Sequence, residues 1–267
     1  MPASKTITWN GVSSETIPEL VIGRVTRQLL GASRGTYLPV PGREGAWFFP
    51  EKRGIREITC ECFVEGETFP TGRRDALHDV ANWLDVEGQA ALIISDEPDV
   101  YYEATVGDPP EPDEWREFGS FELKFLANPY SFALLTSTHS HTDDANHTDT
   151  WDPDVEVFTY PVITVTPLNG TLSSFLLTVN GRELAWSGNV ASGQSVTVNS
   201  ISAVVVSGPN TDVNLTGSYD SSLLVMSGVS GDFFTLVPGN NTIEFVRDTG
   251  TATSFSVVTT YRKKYRR

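Results

Sequence analysis

Beyond residue 154 no stretch of the chain sustains the three-to-four-residue spacing of an amphipathic helix. Short runs rich in Val, Thr, Ser and Phe follow one another instead: VFTYPVITVTP, SSFLLTVN, ELAW, QSVTVNS, AVVVSG, SLLVMSG, FFTLVPG, NTIEFVR and SFSVVTTYRK. Between them stand Asn180-Gly181, Ser187-Gly188-Asn189, Gly208-Pro209-Asn210 and Pro238-Gly239-Asn240, residue types that accept the backbone angles of tight reversals. Many short strands with turns at close intervals predict an antiparallel sandwich of jelly-roll type over residues 155–267.

The first part is organised differently. KTITW, ELVIG and IREITCECFV read as strands, the last placing Ile58, Cys60, Cys62 and Val64 on one face and Thr59 and Glu61 on the other. Residues 73–86, RRDALHDVANWLDV, switch to helical spacing with Leu77, Val80, Ala81 and Leu84 on one stripe. Thr71 or Asp75 suits the start of that helix, and Gly88 suits its stop. QAALIIS, VYYEATV and FGSFELKFLA return to a two-residue period, with Phe121, Leu123 and Phe125 inward, and ANPYSF closes the block. Residues 1–135 are therefore expected to form an α+β domain with one helix. Residues 136–154, TSTHSHTDDANHTDTWDPD, lack apolar periodicity and are expected to be a linker. The whole chain is predicted to be mainly β.

Charge is spread unevenly over the net −15. Residues 1–150 hold 12 Lys+Arg against 25 Asp+Glu, a net of −13, and residues 151–267 hold 7 against 9, a net of −2. The acids peak in SDEPDVYYEATVGDPPEPDEWRE, at Asp96, Glu97, Asp99, Glu103, Asp108, Glu111, Asp113 and Glu114. Such a surface repels nucleic acid. The N-terminus has no apolar core of a secretory signal, and no apolar run reaches the ~20 residues of a membrane-spanning helix, so synthesis in a cytoplasm without membrane insertion is expected. Cys60 and Cys62 stand two apart on one strand face, too far to bridge, and are expected to be buried thiols.

The sequence offers little chemistry. His139, His141 and His147, with Asp143, Asp144 and Asp149, have the residue types of a metal site. In a flexible linker, however, the entropy of ordering opposes such a site, and no metal or cofactor is expected. No acid pair stands out for sugar hydrolysis, no nucleophile elbow occurs, and no Gly-rich phosphate loop is present, so no enzyme is predicted. Trp186 and Tyr219 are candidate sugar-stacking aromatics, weighed against a place in the core. YLPVPGREGAWFFPEKRG, residues 37–54, combines turn residues with Trp47, Phe48 and Phe49 and predicts a hairpin or loop that lies against something else.

In order along the chain, TWNGVSS, VPGREGAWFF, a helix ending in NWL, SDEPDVYYEATV, FGSFELKFLANPYSF, VNGRELAW, GDFFTLVPGNNTIEF and SFSVVTTYRKKY resemble the distal tail protein (Dit) family of long-tailed, non-contractile bacteriophages. The resemblance covers nearly the whole chain. It implies a structural virion protein at the tail tip: a hexameric ring built by the first domain around a channel, with a galectin-like sandwich projecting outward. It further implies the tail tube protein, the tail-tip hub and a receptor-binding protein or fibre as partners, with double-stranded DNA passing through unbound. Under that reading Arg43, Trp47, Phe48 and Phe49 belong to the subunit interface, and the acids of 96–114 face the channel or a partner. The alternative is a carbohydrate-binding module or adhesin acting through the sandwich.

Overall fold

A computed structural model describes residues 5–266 apart from 33–34, 36, 40, 43, 45, 49–51, 66–70, 109, 112, 115–117, 144–145, 203, 209–223 and 228–232. The chain divides into two compact units, the first ending at Leu134 and the second running from Leu135 to Tyr265.

The first unit contains β1 (Ile7–Trp9), β2 (Val12–Ser13), β3 (Leu20–Arg27), β4 (Tyr37–Pro39), β5 (Ala46–Phe48), β6 (Arg56–Glu65), helix α1 (Thr71–Leu84), β7 (Ala90–Ile94), β8 (Val100–Val106), β9 (Asp113–Glu114) and the start of β10 (Phe118–Asp143). Antiparallel pairing runs β3-β6-β10-β8-β7-β1-β2. A bridge between Lys5 and Ile22 brings the two ends of this path together, so the sheet curls towards a barrel. Its interior holds Trp9, Ile58, Cys60, Cys62, Val64, Leu123 and Phe125, and the rings of Trp9 and Phe125 lie 5.0 Å apart. The alternation read in ITCECFV is thus the inward face of β6. Burial pushes the Cys60 thiol up to about 12 and Cys62 higher still, and neither forms a disulfide.

Helix α1 buries Ala76, Val80, Trp83 and Leu84, whereas Ala81, expected on the buried stripe, faces out. Trp83 accounts for the rotation. Its indole has far more apolar area to bury than an alanine methyl, and its Nε1 donates to the Val12 carbonyl at 3.1 Å. Gly88, with φ of +78°, reverses the chain into β7. Strand β10 does not end at ANPYSF. Its register against β8 shifts between Ala127 and Ser131, which is where Pro129, unable to donate to a ladder, is tolerated, and the strand continues to Asp143.

The second unit corrects the linker expectation: residues 136–143 complete β10, and residues 146–151 form β11 (Asn146–Trp151). Then follow β12 (Val162–Pro167), β13 (Thr171–Val179), β14 (Arg182–Ala191), β15 (Ser195–Asn199), β16 (Val204–Gly208), β17 (Leu224–Ser227), β18 (Asn241–Gly250) and β19 (Phe255–Tyr265). One sheet runs β16-β15-β12-β19 and borders β10; the other runs β11-β18-β13-β14-β17. Their inner faces share one core. Ile163, Val198 and Val257 come from the first sheet, Leu177, Phe175 and Phe245 from the second, and Phe245 meets Phe255 across the gap at 5.0 Å. Among the described residues no helix is long and apolar enough to cross a membrane.

Asn180 and Gly181 both take positive φ, 52° and 78°, and close the β13–β14 hairpin as their dipeptide predicts. The Asn180 amide donates to the Thr235 carbonyl at 3.1 Å and to Asn241 Oδ1 at 2.7 Å, while its own oxygen accepts from Thr242 N at 3.0 Å. Buried Asn241 in turn holds the Pro238-Gly239 reversal, donating to the Val237 and Gly239 carbonyls and accepting from Val237 N. Two other readings fail here. FFTLVPG is not a strand but a buried crossing anchored by a Thr159–Leu236 bridge. Ser187-Gly188-Asn189 is not a turn but the middle of β14.

Candidate functional site

Among the described residues strands β4 and β5 pair only with each other, in register Tyr37–Phe48, Leu38–Trp47 and Pro39–Ala46. Directly opposed residues of an antiparallel pair project to the same side. Leu38 and Trp47 therefore share one face of a two-stranded ribbon, and they are 56% and 60% exposed. Where the chain enters and leaves this hairpin, Ala32 N donates to the Ile55 carbonyl and Gly54 N to the Ala32 carbonyl. Leu29, Leu30 and Ile55 at that base are exposed as well. Scattered apolar residues on a surface mean little, but a large aromatic paired with a leucine on a two-stranded ribbon is a candidate contact surface. Arg43 and Phe49 lie outside the described residues, as does the side chain of Phe48.

The acids of the first unit divide by partner. Asp96 pairs with Lys5 at 2.9 Å and with Arg27, and Arg27 also pairs with Glu97 at 3.0 Å. Burial works against the Asp96 charge, but the hydrogen bond from Lys5 and the charge of Arg27 hold its carboxyl below the usual range. Burial works to lower the pKa of Arg27, but the charges of Glu97 and Asp96 outweigh it and raise the pKa above its usual value. Glu97 also accepts from the Tyr102 hydroxyl at 2.8 Å, and Glu103 accepts from the Asn128 amide at 2.9 Å. Asp108 lies 3.7 Å from Lys124 but is largely exposed. Asp99 and Glu111 are exposed and carry no ion pair among the described residues. The backbones of Asp113 and Glu114 form β9 beside β10; their side chains are outside the described residues. The sequence singled out these acids as one set, and the fold neutralises two of them locally.

Trp186 is 4% exposed, stacked on Phe175 at 5.4 Å in the sandwich core. This corrects its candidacy for sugar contact, since no ring face is offered to a ligand. Gly188 is part of the reason. A Cβ at that position would stand 2.6 Å from the Trp186 ring, so the indole lies across the space that glycine leaves. Tyr219 lies outside the described residues.

The histidines of the expected linker come together. His139 and His141, two apart on β10, point the same way, and His147, Asp149 and Trp151 alternate on the half-buried face of β11. His139 Nε2 contacts Asp149 Oδ2, His141 Nδ1 lies 3.7 Å from the same oxygen, and the His141 and His147 rings are 4.3 Å apart. The Trp151 indole stacks flat on His139, with centroids 4.4 Å apart and planes within 4°. Burial opposes the charge of Asp149, but the His139 hydrogen bond and charge outweigh it and hold the carboxyl below its ordinary range. Ligand atoms of His139, His141 and Asp149 all lie within 4.8 Å of one another. The sequence named the histidines and Asp149; Trp151, at strand spacing from Asp149, was not singled out with them. Asp144 and the side chain of Asp143 are outside the described residues.

Residues 20–127 match the family described as phage tail protein RIFT-related domain. Among solved structures, the Dit protein of phage SPP1, described as a paradigm of the hub adsorption apparatus in phages infecting Gram-positive hosts, is similar with a TM-score of 0.75 at 15% identity; the match covers 98% of this chain and 100% of that one. Chains of the phage p2 baseplate in its activated conformation, with Sr and with Ca, match at TM-scores of 0.47 and identities of 9% and 10%, over 96% of this chain and 98% of theirs, too distant to carry an argument. No curated protein matches the chain in sequence. Residues 20–127 are thus similar to the phage tail protein RIFT-related domain, and the chain as a whole has a mainly-β fold like that of the SPP1 Dit protein.

Proposed function

We propose that this chain is a structural component of the phage tail tip whose copies associate side by side through their first units into a closed ring, joining the tail tube to the tail-tip hub. The observation that carries the reading is the β4–β5 ribbon, on one face of which Leu38 and Trp47 stand exposed together. A closed ring of identical subunits needs a head-to-tail contact in which a projection of one copy enters a different surface of the next, and a short apolar ribbon has that form. Asp99, Asp108 and Glu111 are the acids best suited to an electronegative passage that DNA traverses without sticking. Asp96 and Glu97, held by Lys5 and Arg27, contribute less to it.

The six-fold form implied by the family resemblance gives a particle of about 175 kDa from subunits of 29.2 kDa. Light scattering of the purified chain, alone and with the tube protein, together with negative-stain images, tests it. An annulus that Trp47→Ala and Leu38→Ala dissociate into folded protomers supports the reading. A wild-type chain that stays monomeric with its tube and hub neighbours present sinks it. The sugar-binding alternative is weakened by the burial of Trp186.

A further inference from the structure

We infer that His139, His141 and Asp149 form a binding site for a divalent transition-metal ion of the zinc type. The case against such a site rested on the entropy of ordering a flexible linker. That cost is absent, because both ligand-bearing segments are strands whose backbones are already fixed: β10 borders β19, and β11 is laddered to β18 over Asn146–Trp151. Consecutive in sequence, β10 and β11 belong to different sheets, so the half-buried faces of the two strands confront each other.

The donor set is two imidazole nitrogens and one carboxylate oxygen, which suits Zn²⁺ far better than Ca²⁺ or Mg²⁺, whose shells are built from oxygens. Tetrahedral zinc holds its ligands at about 2.0–2.2 Å, which places ligand atoms roughly 3–3.5 Å from each other. The three donor atoms here lie within 4.8 Å of one another, and both imidazole nitrogens converge on the same oxygen, Asp149 Oδ2. Small side-chain rotations suffice to seat an ion among them, leaving the fourth position to water. The surroundings fix the ligands further. Trp151 stacks flat on His139 and packs on the sandwich core, and His147 lies against the His141 ring. Oriented in this way, the imidazoles pay little to adopt one geometry. A bound ion would tie the edge strand of one sheet to a strand of the other, a clasp at the margin of the sandwich.

The test uses the full chain, stripped with chelator and titrated with zinc chloride by calorimetry near neutral pH, with cobalt(II) as a spectroscopic substitute. The expected result is uptake of one Zn²⁺ per chain at micromolar concentration, a rise in melting temperature on loading, and visible cobalt bands without a thiolate charge-transfer band. His139→Ala with His141→Ala, and separately Asp149→Asn, should weaken uptake by about 100-fold or more, since even outer-shell partners are worth about 10–100-fold. His78→Ala should leave uptake unchanged. Absence of stoichiometric uptake by the wild-type chain overturns the site, whatever the variants do. So does undiminished uptake by a double variant whose far-ultraviolet circular dichroism matches wild type, or a cobalt spectrum showing thiolate ligation by Cys60 or Cys62.

Discussion

Trp47 and Trp186 both sit in strands, and both are opposed across the ladder by a large apolar residue, Leu38 in one case and Phe175 in the other. Trp47 belongs to a ribbon of two strands and is 60% exposed; Trp186 belongs to a strand flanked on both sides within a five-stranded sheet and is 4% exposed. What separates them is the second layer. Behind β14 stands another sheet that supplies apolar partners, while among the described residues β4 and β5 pair only with each other and leave Leu38 and Trp47 exposed. Two strands alone are marginal in water, so under the proposed function a ribbon that exposes its aromatic would be completed by a partner, whereas a sandwich strand is complete. Aromatic content in a strand therefore says nothing about function until the number of layers is known.

The largest effect should come from removing the buried tryptophan. Trp186→Ala is expected to cost about 3–5 kcal/mol in chemical denaturation, because it leaves a cavity beside Phe175. A cost below 1 kcal/mol would break the comparison by showing that the indole is dispensable to the core. Next, Trp47→Ala should leave the protomer's unfolding free energy within about 0.5 kcal/mol of wild type. Its association should weaken by about 2 kcal/mol, a factor of roughly 30 in dissociation constant by sedimentation. An equal loss of protomer stability would place Trp47 in an intramolecular core. A third measurement sharpens the buried side: Gly188→Ala should cost about 1 kcal/mol or more, because the new methyl meets the Trp186 ring, and the Trp186→Ala background should relieve that cost.

The smallest effect concerns the charges on the first unit. The Asp96 carboxyl is held below its ordinary pKa in the folded state, so its pairing with Lys5 and Arg27 stabilises the fold above about pH 4 and is lost as pH falls through the folded-state value. Asp96→Asn should lower the melting temperature slightly at pH 7, and the gap to wild type should close in acid. A gap that is constant with pH would mean that the ion pairs contribute nothing.

Much of the fold was legible where the inward residues are aliphatic or aromatic. Ile58, Cys60, Cys62 and Val64 alternate so cleanly that β6 follows from four letters, and α1 lies within two residues of its expected span. Ala81 misled because a small apolar residue satisfies a helical stripe without needing burial, and Trp83 has the stronger claim on the core. The stretch 136–154 was opaque for a sharper reason. It has the two-residue period of a strand, but the inward positions are filled by His139, His141, His147, Asp149 and Trp151, and a search for apolar alternation passes over histidine and aspartate. Trp151, two residues after Asp149, was the available clue. Gly188 misled in the opposite way: a glycine between Ser and Asn has turn chemistry, but here its missing side chain makes room for an indole. The candidate interface was legible in position, as a turn-rich aromatic stretch, but not in form, because only the pairing of Leu38 with Trp47 puts them on one face.

The Asn180-Gly181 hairpin bears on how the protein ages. An asparagine followed by glycine is the link in a polypeptide most prone to spontaneous deamidation, because the unhindered glycine nitrogen attacks the side-chain amide to form a succinimide. Here that amide is pinned by the Thr235 carbonyl, Asn241 and the Thr242 amide, which resist the rotation that the attack requires. Asn241→Ala should release it, and mass spectrometry after prolonged storage should find aspartate or isoaspartate accumulating at position 180 faster than in wild type. If the proposed role at a phage tail tip holds, the chain waits outside its host with no means of replacing worn parts, and the lifetime of that one side chain would set a clock on the second unit.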